Sequence, residues 1–423
     1  MYCMHFIFIK CKTQFLGRLI MQRKIKQILA LFLVIVFQYS CTESYEIETV
    51  DYESVLVVES TITNELKPQL VKLSRTSTLE NPGILLENNA TVTVSDSNGE
   101  IYNFSQNNET GFYNSNQPFS AQPNVSYTLN IETQDGKSYS SAAVTLPPTV
   151  EMDEVYAERI DDLSANKDGV QVLVNTEDPT GNAKYFRYEY EETYKVVAPF
   201  PSPYIAEIIN FNPDNYTYDV VLTPREPEEI CYSTENSTGI NQTSTTEFNE
   251  NRVFRFPVKY LSKLDAKMQT RYSILVKQYV QSIEAYTFYK IVKELGSVES
   301  LLSQGQPGYV AGNMVSVANP DEKVLGFFEA SSMTSKRIYF NYEDFGLEKP
   351  PYFVECEVLV LDYLDNTTFD NDPNERENIF TYLSYFDYQV LSLAQNTIYR
   401  IVQAECSVCT SFSSNIRPDF WED

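Results

Sequence analysis

Histidine is almost missing from this 423-residue chain, and the single one, His5, stands among the first residues. Everything after it lacks an imidazole. That excludes Ser-His-Asp and Cys-His nucleophile machinery, His-ligated zinc and imidazole acid–base chemistry. Positive charge is scarce too, with 32 Lys and Arg against 58 Asp and Glu, a formal net charge of −26. Six of those cations lie in the first forty residues, which carry no acid, so from Cys41 onward the balance is 26 against 58, or −32. Such a field repels nucleic acid and anionic lipid surfaces, so no nucleic-acid partner is expected. No G-x-S-x-G, Walker, Rossmann or H-E-x-x-H motif occurs, and no cofactor, metal or catalytic residue is expected. Tryptophan occurs once, whereas tyrosine (31) and phenylalanine (25) are plentiful. Tyrosines could form a sugar-stacking surface, but they are also preferred strand residues, and strands are the reading taken here.

The first forty residues carry an address. Met21-Gln-Arg-Lys-Ile-Lys26 is a short cationic stretch, and Ile28 to Phe37 is an unbroken run of ten apolar residues. Ten residues rise about 15 Å as a helix, half of what a bilayer core requires, so the run reads as a secretory signal. Ser40-Cys41 then resembles a bacterial lipoprotein cleavage site, with Cys41 as the lipidated N-terminus. Residues 21–40 are therefore read as a lipoprotein signal peptide and 1–20 as an upstream extension. The acids after Cys41, ending with Asp51 and Glu53, make 41–53 an acidic tether that resembles a surface-export signal.

The rest reads as mainly β. From Val55 to Val144 some seven short runs alternate, with Asn98-Gly99 and Asp135-Gly136 as turns. Asn-Gly between alternating runs is a type I′ hairpin signal. Residues 54–148 are expected to form an immunoglobulin-like β-sandwich, ended by Pro147-Pro148. Residues 150–423 are expected to form a larger β-rich domain with one inserted helix near 282–295. Its strands are placed at Tyr185 to Val197, Arg271 to Tyr279, Lys323 to Glu329, Lys336 to Asn341, Tyr352 to Leu361 and Asn396 to Ala404. Ser282 reads as the helix N-cap and Gly296 as its stop, with an apolar stripe from Ile283 through Tyr286, Phe288, Ile291 and Val292 to Leu295. Pro199, Pro201, Pro203 and Pro213 predict an exposed loop.

Four cysteines follow Cys41: Cys231, Cys356, Cys406 and Cys409. An even count in an exported chain predicts two disulfides, with three connectivities open. A Cys₄ zinc site usually presents two close pairs, and only Cys406 and Cys409 are close. The acidic run at 362–372 offers oxygen donors to calcium, but it lacks the spacing and glycine of an EF-hand, so a solvated loop is expected. Glu189 and Glu191 share one face of a strand, yet nothing singles them out as a catalytic pair.

Val57-Val58-Glu59, Cys231 to Ile240, Glu284-Ala-Tyr286 with Phe288 and Tyr289, Gly312-Asn313, and Asp321 to Ala330 form a recognisable set. Together they resemble domain-of-unknown-function family 4249 of the Bacteroidota. Cys406-x-x-Cys409 followed by Arg417-Pro-Asp-Phe-Trp421 is similar to that family's C-terminal signature, without the Gly-Gly that often lies between. The resemblance implies a non-enzymatic, surface-exposed outer-membrane lipoprotein. It further implies an accessory or structural subunit of a TonB-dependent-transporter-type barrel complex, serving cargo capture or assembly. A free-standing adhesin or glycan-binding lipoprotein is the alternative, and an enzyme the weakest of the three.

Overall fold

Leu56–Thr63 (β1) shows how this sequence makes strands. Leu56, Val58 and Ile62 are fully buried while Glu59 between them is exposed, the two-residue period of a half-buried sheet. Leu70–Arg75 (β2) pairs with it antiparallel. Tyr185–Val197 (β3) and Tyr272–Val280 (β4) pair antiparallel with each other, with Arg187 opposite Tyr279. Ser282 then caps Ile283–Leu295 (α1), its hydroxyl accepting from the Ala285 N–H at 3.2 Å. The last strand used below is Val324–Phe340 (β5). In space these strands run β3-β4-β5-β1-β2 within one large sheet, which continues through the remaining strands of residues 85–145. The architecture is mainly β. The computed structural model describes residues 54–77, 83–162, 167–214, 217–296, 310–363 and 378–423. Cys41, the leader, the tether and most of the 362–372 loop lie outside them.

β5 corrects the expected strand list. The sequence suggests two strands, at Lys323–Glu329 and Lys336–Asn341, but one strand of 17 residues runs through both. Its first half pairs parallel with β1, Val58 against Gly326 and Thr61 against Glu329. Its second half pairs antiparallel with β4, from Val280 against Ser332 to Tyr272 against Phe340. Between them Ala330, Ser331, Ser332, Met333 and Thr334 are all buried. These residues look like a loop because they are small or polar, yet most of their polar atoms find partners, the buried Ser331 hydroxyl having none among the described residues. Ser332 Oγ donates to the Pro148 carbonyl and Thr334 Oγ1 to that of Val150, while Asn64 Oδ1 accepts from the Met333 N–H.

The same strand joins two cores. One packs Leu56, Val58, Tyr127 and Leu129 with Met314, Val324, Phe328 and Ala330. This core therefore draws on residues from both sides of Pro147-Pro148. Met314–Ser316 pairs with Ser138–Ser141. Asn313 fastens this edge to β5, its side chain accepting from the Phe328 N–H at 2.9 Å and donating to the Phe328 carbonyl at 2.7 Å. The second core lies between β3-β4-β5 and a three-stranded sheet of Glu154–Asp162, Lys167–Glu177 and Arg252–Ser262. Phe186, Tyr188, Ile274 and Val276 meet Val170, Val172, Val174 and Leu261 there.

Three further expectations change. The proline-rich segment is a β-hairpin, Tyr204–Asn212 against Thr217–Pro224, with Pro203 and Pro213 flanking its first strand and Pro224 ending the second. Proline is tolerated at those ends because no ladder N–H is needed there. The hairpin packs Tyr218, Val220 and Leu222 on a small third core built with Ile379, Phe380, Val390, Tyr399 and Ile401. At the Asn98-Gly99 turn only Gly99 has positive φ (93°), so the connection is not type I′. Asp96 Oδ1 organises it instead, accepting from the N–H groups of Asn98 and Glu100, each at 2.9 Å. Of the expected Tyr352 to Leu361 strand, only Leu359–Asp362 is extended and paired.

The four cysteines form two disulfides, Cys231–Cys409 and Cys356–Cys406, across 178 and 50 residues of sequence. The first fastens the C-terminal segment to the sheet, and the second ties it to the stretch that precedes Leu359–Asp362. The segment then covers the sheet edge at Ile230–Asn236, where Tyr232 and Ser414 exchange backbone hydrogen bonds at 2.7 and 3.2 Å. Trp421 is buried edge-on against Tyr232, ring centres 5.0 Å apart. Covering an edge in this way removes a template for unwanted pairing. Alkylating the unfolded, unreduced protein should modify none of the four thiols, and reducing each bond should cost roughly 2–5 kcal/mol of stability. Mass spectrometry of the alkylated chain checks the first point; four modified cysteines, or stoichiometric zinc, would contradict it.

Candidate functional site

Alternation along β5, β1 and β2 sends every second side chain away from the first core. Register sets the others in rows: Leu325 beside Val57, Phe327 beside Glu59 and Lys72, and Glu329 beside Thr61. This is the floor of a cleft of about 680 Å³. α1 supplies the facing wall through Phe288, Tyr289, Val292 and Leu295. Phe288 reaches the floor, its ring centre 5.2 Å from that of Phe327. These wall residues are only half buried, because the cleft lies between them and the sheet. The expected helix stripe is therefore split. Ile283 and Ile291 face solvent, 53% and 40% exposed.

One end of the cleft is polar and tightly bonded. Arg187 of β3 lies between two rings, its guanidinium carbon 4.5 Å from the centre of Tyr279 and 5.1 Å from that of Tyr289. Its Nη2 donates to Glu329 Oε1 at 2.7 Å and its Nη1 to Glu189. Glu329 is 2% exposed and also accepts from Thr61 Oγ1 at 2.9 Å and Gln281 Nε2 at 3.1 Å. Burial opposes the charge on Arg187, but Glu329 and Glu189 outweigh it and raise its pKa above the ordinary arginine value. Burial, reinforced by those same carboxylates, pushes the Tyr279 and Tyr289 hydroxyls up as well, so both phenols stay neutral. The Arg187 Nε–H is buried and has no acceptor among the described residues.

This arrangement suits binding. Glu189 and Glu329 are both tied to Arg187. The rim charges are balanced as well. Lys67 pairs with Glu65, and Lys72 stands opposite Glu59 in the β1–β2 register. Glu191, two residues from Glu189, pairs instead with Arg337 Nη2 at 2.8 Å. Asp362 ends a strand, and the rest of its acidic loop lies outside the described residues. Among the described residues no group of three or more His, Cys, Asp or Glu side chains could hold a metal ion. No described helix is long and apolar enough to cross a membrane.

Sequence reasoning missed Arg187 and Glu329, since 142 residues separate them. It missed Glu192 too, which is buried on the other face of β3 and bonded to Tyr272 Oη at 2.5 Å, Lys267 at 2.9 Å and Lys259 at 3.1 Å. A charged residue inside an aromatic alternating strand was the available signal in both cases.

The profile of the domain of unknown function DUF4249 matches residues 42–337, about 70% of the chain. The chain belongs to the DUF4249 family. Four of the DUF4249-like stretches meet around the cleft. Val57-Val58-Glu59 and Leu325 to Ala330 lie in its floor strands, Glu284 to Tyr289 in its wall, and Gly312-Asn313 beside β5. Cys231 and the C-terminal signature lie at the outer sheet edge, and the signature falls beyond the matched residues. None of the curated proteins matches this DUF4249 chain. Among solved structures, a DUF4785 family protein from Legionella pneumophila is similar at 9% identity and a TM-score of 0.17. The match covers 53% of this chain and 51% of that one, so the chain spans about half the length of that structure.

Proposed function

We propose that this protein is a non-enzymatic, surface-exposed outer-membrane lipoprotein anchored through Cys41. In this reading it is an accessory or structural subunit of a TonB-dependent-transporter-type barrel complex and holds cargo in the cleft. The observation that carries the binding role is the cleft itself, with mostly apolar walls and every charge at its polar end already paired. The family profile begins at residue 42, immediately after Cys41, which supports reading what precedes it as a leader. The hairpin Tyr204–Asn212/Thr217–Pro224 supports a docking role, because Ile205, Ile209 and Val221 on its outer face are 39–44% exposed. Anionic lipid repels a body this acidic, so the body rests on protein. A stable contact of this kind buries at least about 1,000 Å².

Crosslinking the tagged protein in intact cells tests this reading. An adduct with an outer-membrane barrel is expected, and Cys41→Ala should abolish both the adduct and metabolic labelling by an alkyne fatty acid. Equal labelling of parent and variant would remove the anchor from the reading. Recovery of monomer alone would favour the free-standing adhesin.

A further inference from the structure

We propose that the cleft between α1 and the β5-β1-β2 floor binds an uncharged amphipathic molecule, an apolar chain or ring system ending in a carbonyl or hydroxyl acceptor. The proposal deepens the binding role argued above and rests on it, but it does not depend on which partner the protein docks to.

The apolar part of the ligand follows from the walls. Phe288, Val292 and Leu295 on the helix face Val57, Leu325 and Phe327 on the floor. A volume of about 680 Å³ lies in the middle of the range found for sites that enclose small organic ligands. Helix residues half buried against open space gain most of their remaining burial from an apolar occupant, at roughly 25 cal/mol per Å² covered.

The polar end follows from hydrogen-bond accounting. Nη1 of Arg187 serves Glu189, and Nη2 serves Glu329 and Thr61. The Nε–H is buried and has no acceptor among the described residues. A buried donor left unmet costs about 1–3 kcal/mol, so an acceptor arriving there is favoured. An ammonium group cannot serve, because it only donates. A carboxylate can accept, but it would meet Glu189 and Glu329 at the same guanidinium, within a protein of net charge −26. A neutral carbonyl or hydroxyl oxygen satisfies the donor without either conflict.

Titrating the purified protein with N-phenyl-1-naphthylamine, a neutral fluorophore that brightens in apolar surroundings, tests the site. One saturable equivalent is expected. Decanamide should displace the dye at concentrations at least tenfold below those needed for decanoate or decylammonium at pH 7. Leu325→Trp, which fills the floor, should weaken dye binding at least tenfold. Val292→Glu, at a half-exposed wall position that tolerates charge for folding, should do the same. Ile416→Trp, at a residue 75% exposed and outside the cleft, should leave binding unchanged. Absence of saturable binding, or equal binding by parent, Leu325→Trp and Val292→Glu, would overturn the site. Displacement by either charged decyl compound as readily as by decanamide would overturn the ligand class. These outcomes are read on the isolated protein, so they are independent of whether a barrel is recovered by crosslinking.

Discussion

Arg187→Met should destabilise the protein by about 3–5 kcal/mol, because it leaves Glu329 buried and without its cation. Urea unfolding with the disulfides intact measures this. Arg187→Met combined with Glu329→Leu should recover most of the loss, since an apolar pair of similar bulk does without both charges. A single-variant loss below about 1 kcal/mol would mean that the Glu329 carboxylate reaches water.

Gly326→Ala should be as damaging through sterics alone. Gly326 lies in β5 directly opposite Val58, with φ at +97°, where side chains are rarely found. A Cβ built there would sit 1.8 Å from the Val58 carbonyl oxygen, a backbone atom that moves only if the parallel ladder opens. Gly312 approaches from another direction, and a Cβ on it would sit 1.6 Å from the Gly326 carbonyl oxygen. Three backbones thus meet where only hydrogens fit. A loss on the order of 4 kcal/mol or more, with low soluble yield, is expected. Gly346→Ala is the control, since its φ is +62° but nothing lies within 4 Å of a built Cβ. It should cost about 1 kcal/mol. Equal urea midpoints for the two variants would refute the crowding argument.

Local features were legible where one residue decides one turn or face. The β1 alternation gave away its buried side, and Ser282 with Gly296 bounded α1. What escaped were features set by distant partners. The middle of β5 is too polar to read as a strand, yet it is buried because both cores and the Pro148–Val150 backbone close over it. The prolines near 200–213 suggested a loop because composition does not reveal that they flank a hairpin instead of interrupting it. The polar end of the cleft needs Arg187 and Glu329 on neighbouring strands, and only tertiary pairing brings them together. Cys41 and the body of the acidic loop stay at the level of sequence.

The parallel pairing of β1 with β5 has a consequence for how the chain is made. Thr61 and Glu329, neighbours in the ladder, are 268 residues apart in sequence. During synthesis the first strand emerges long before β5, and Leu56, Val58 and Ile62 lack the part of their core that Val324, Phe328 and Ala330 supply. Loop closure over that length is entropically costly and slow, as for any topology dominated by distant pairings. Residues 54–145 must therefore wait, partly assembled, until the 324–331 segment arrives. A chain truncated before residue 324 should remain a client of holding chaperones, even though it retains all the described strands from 56 to 145.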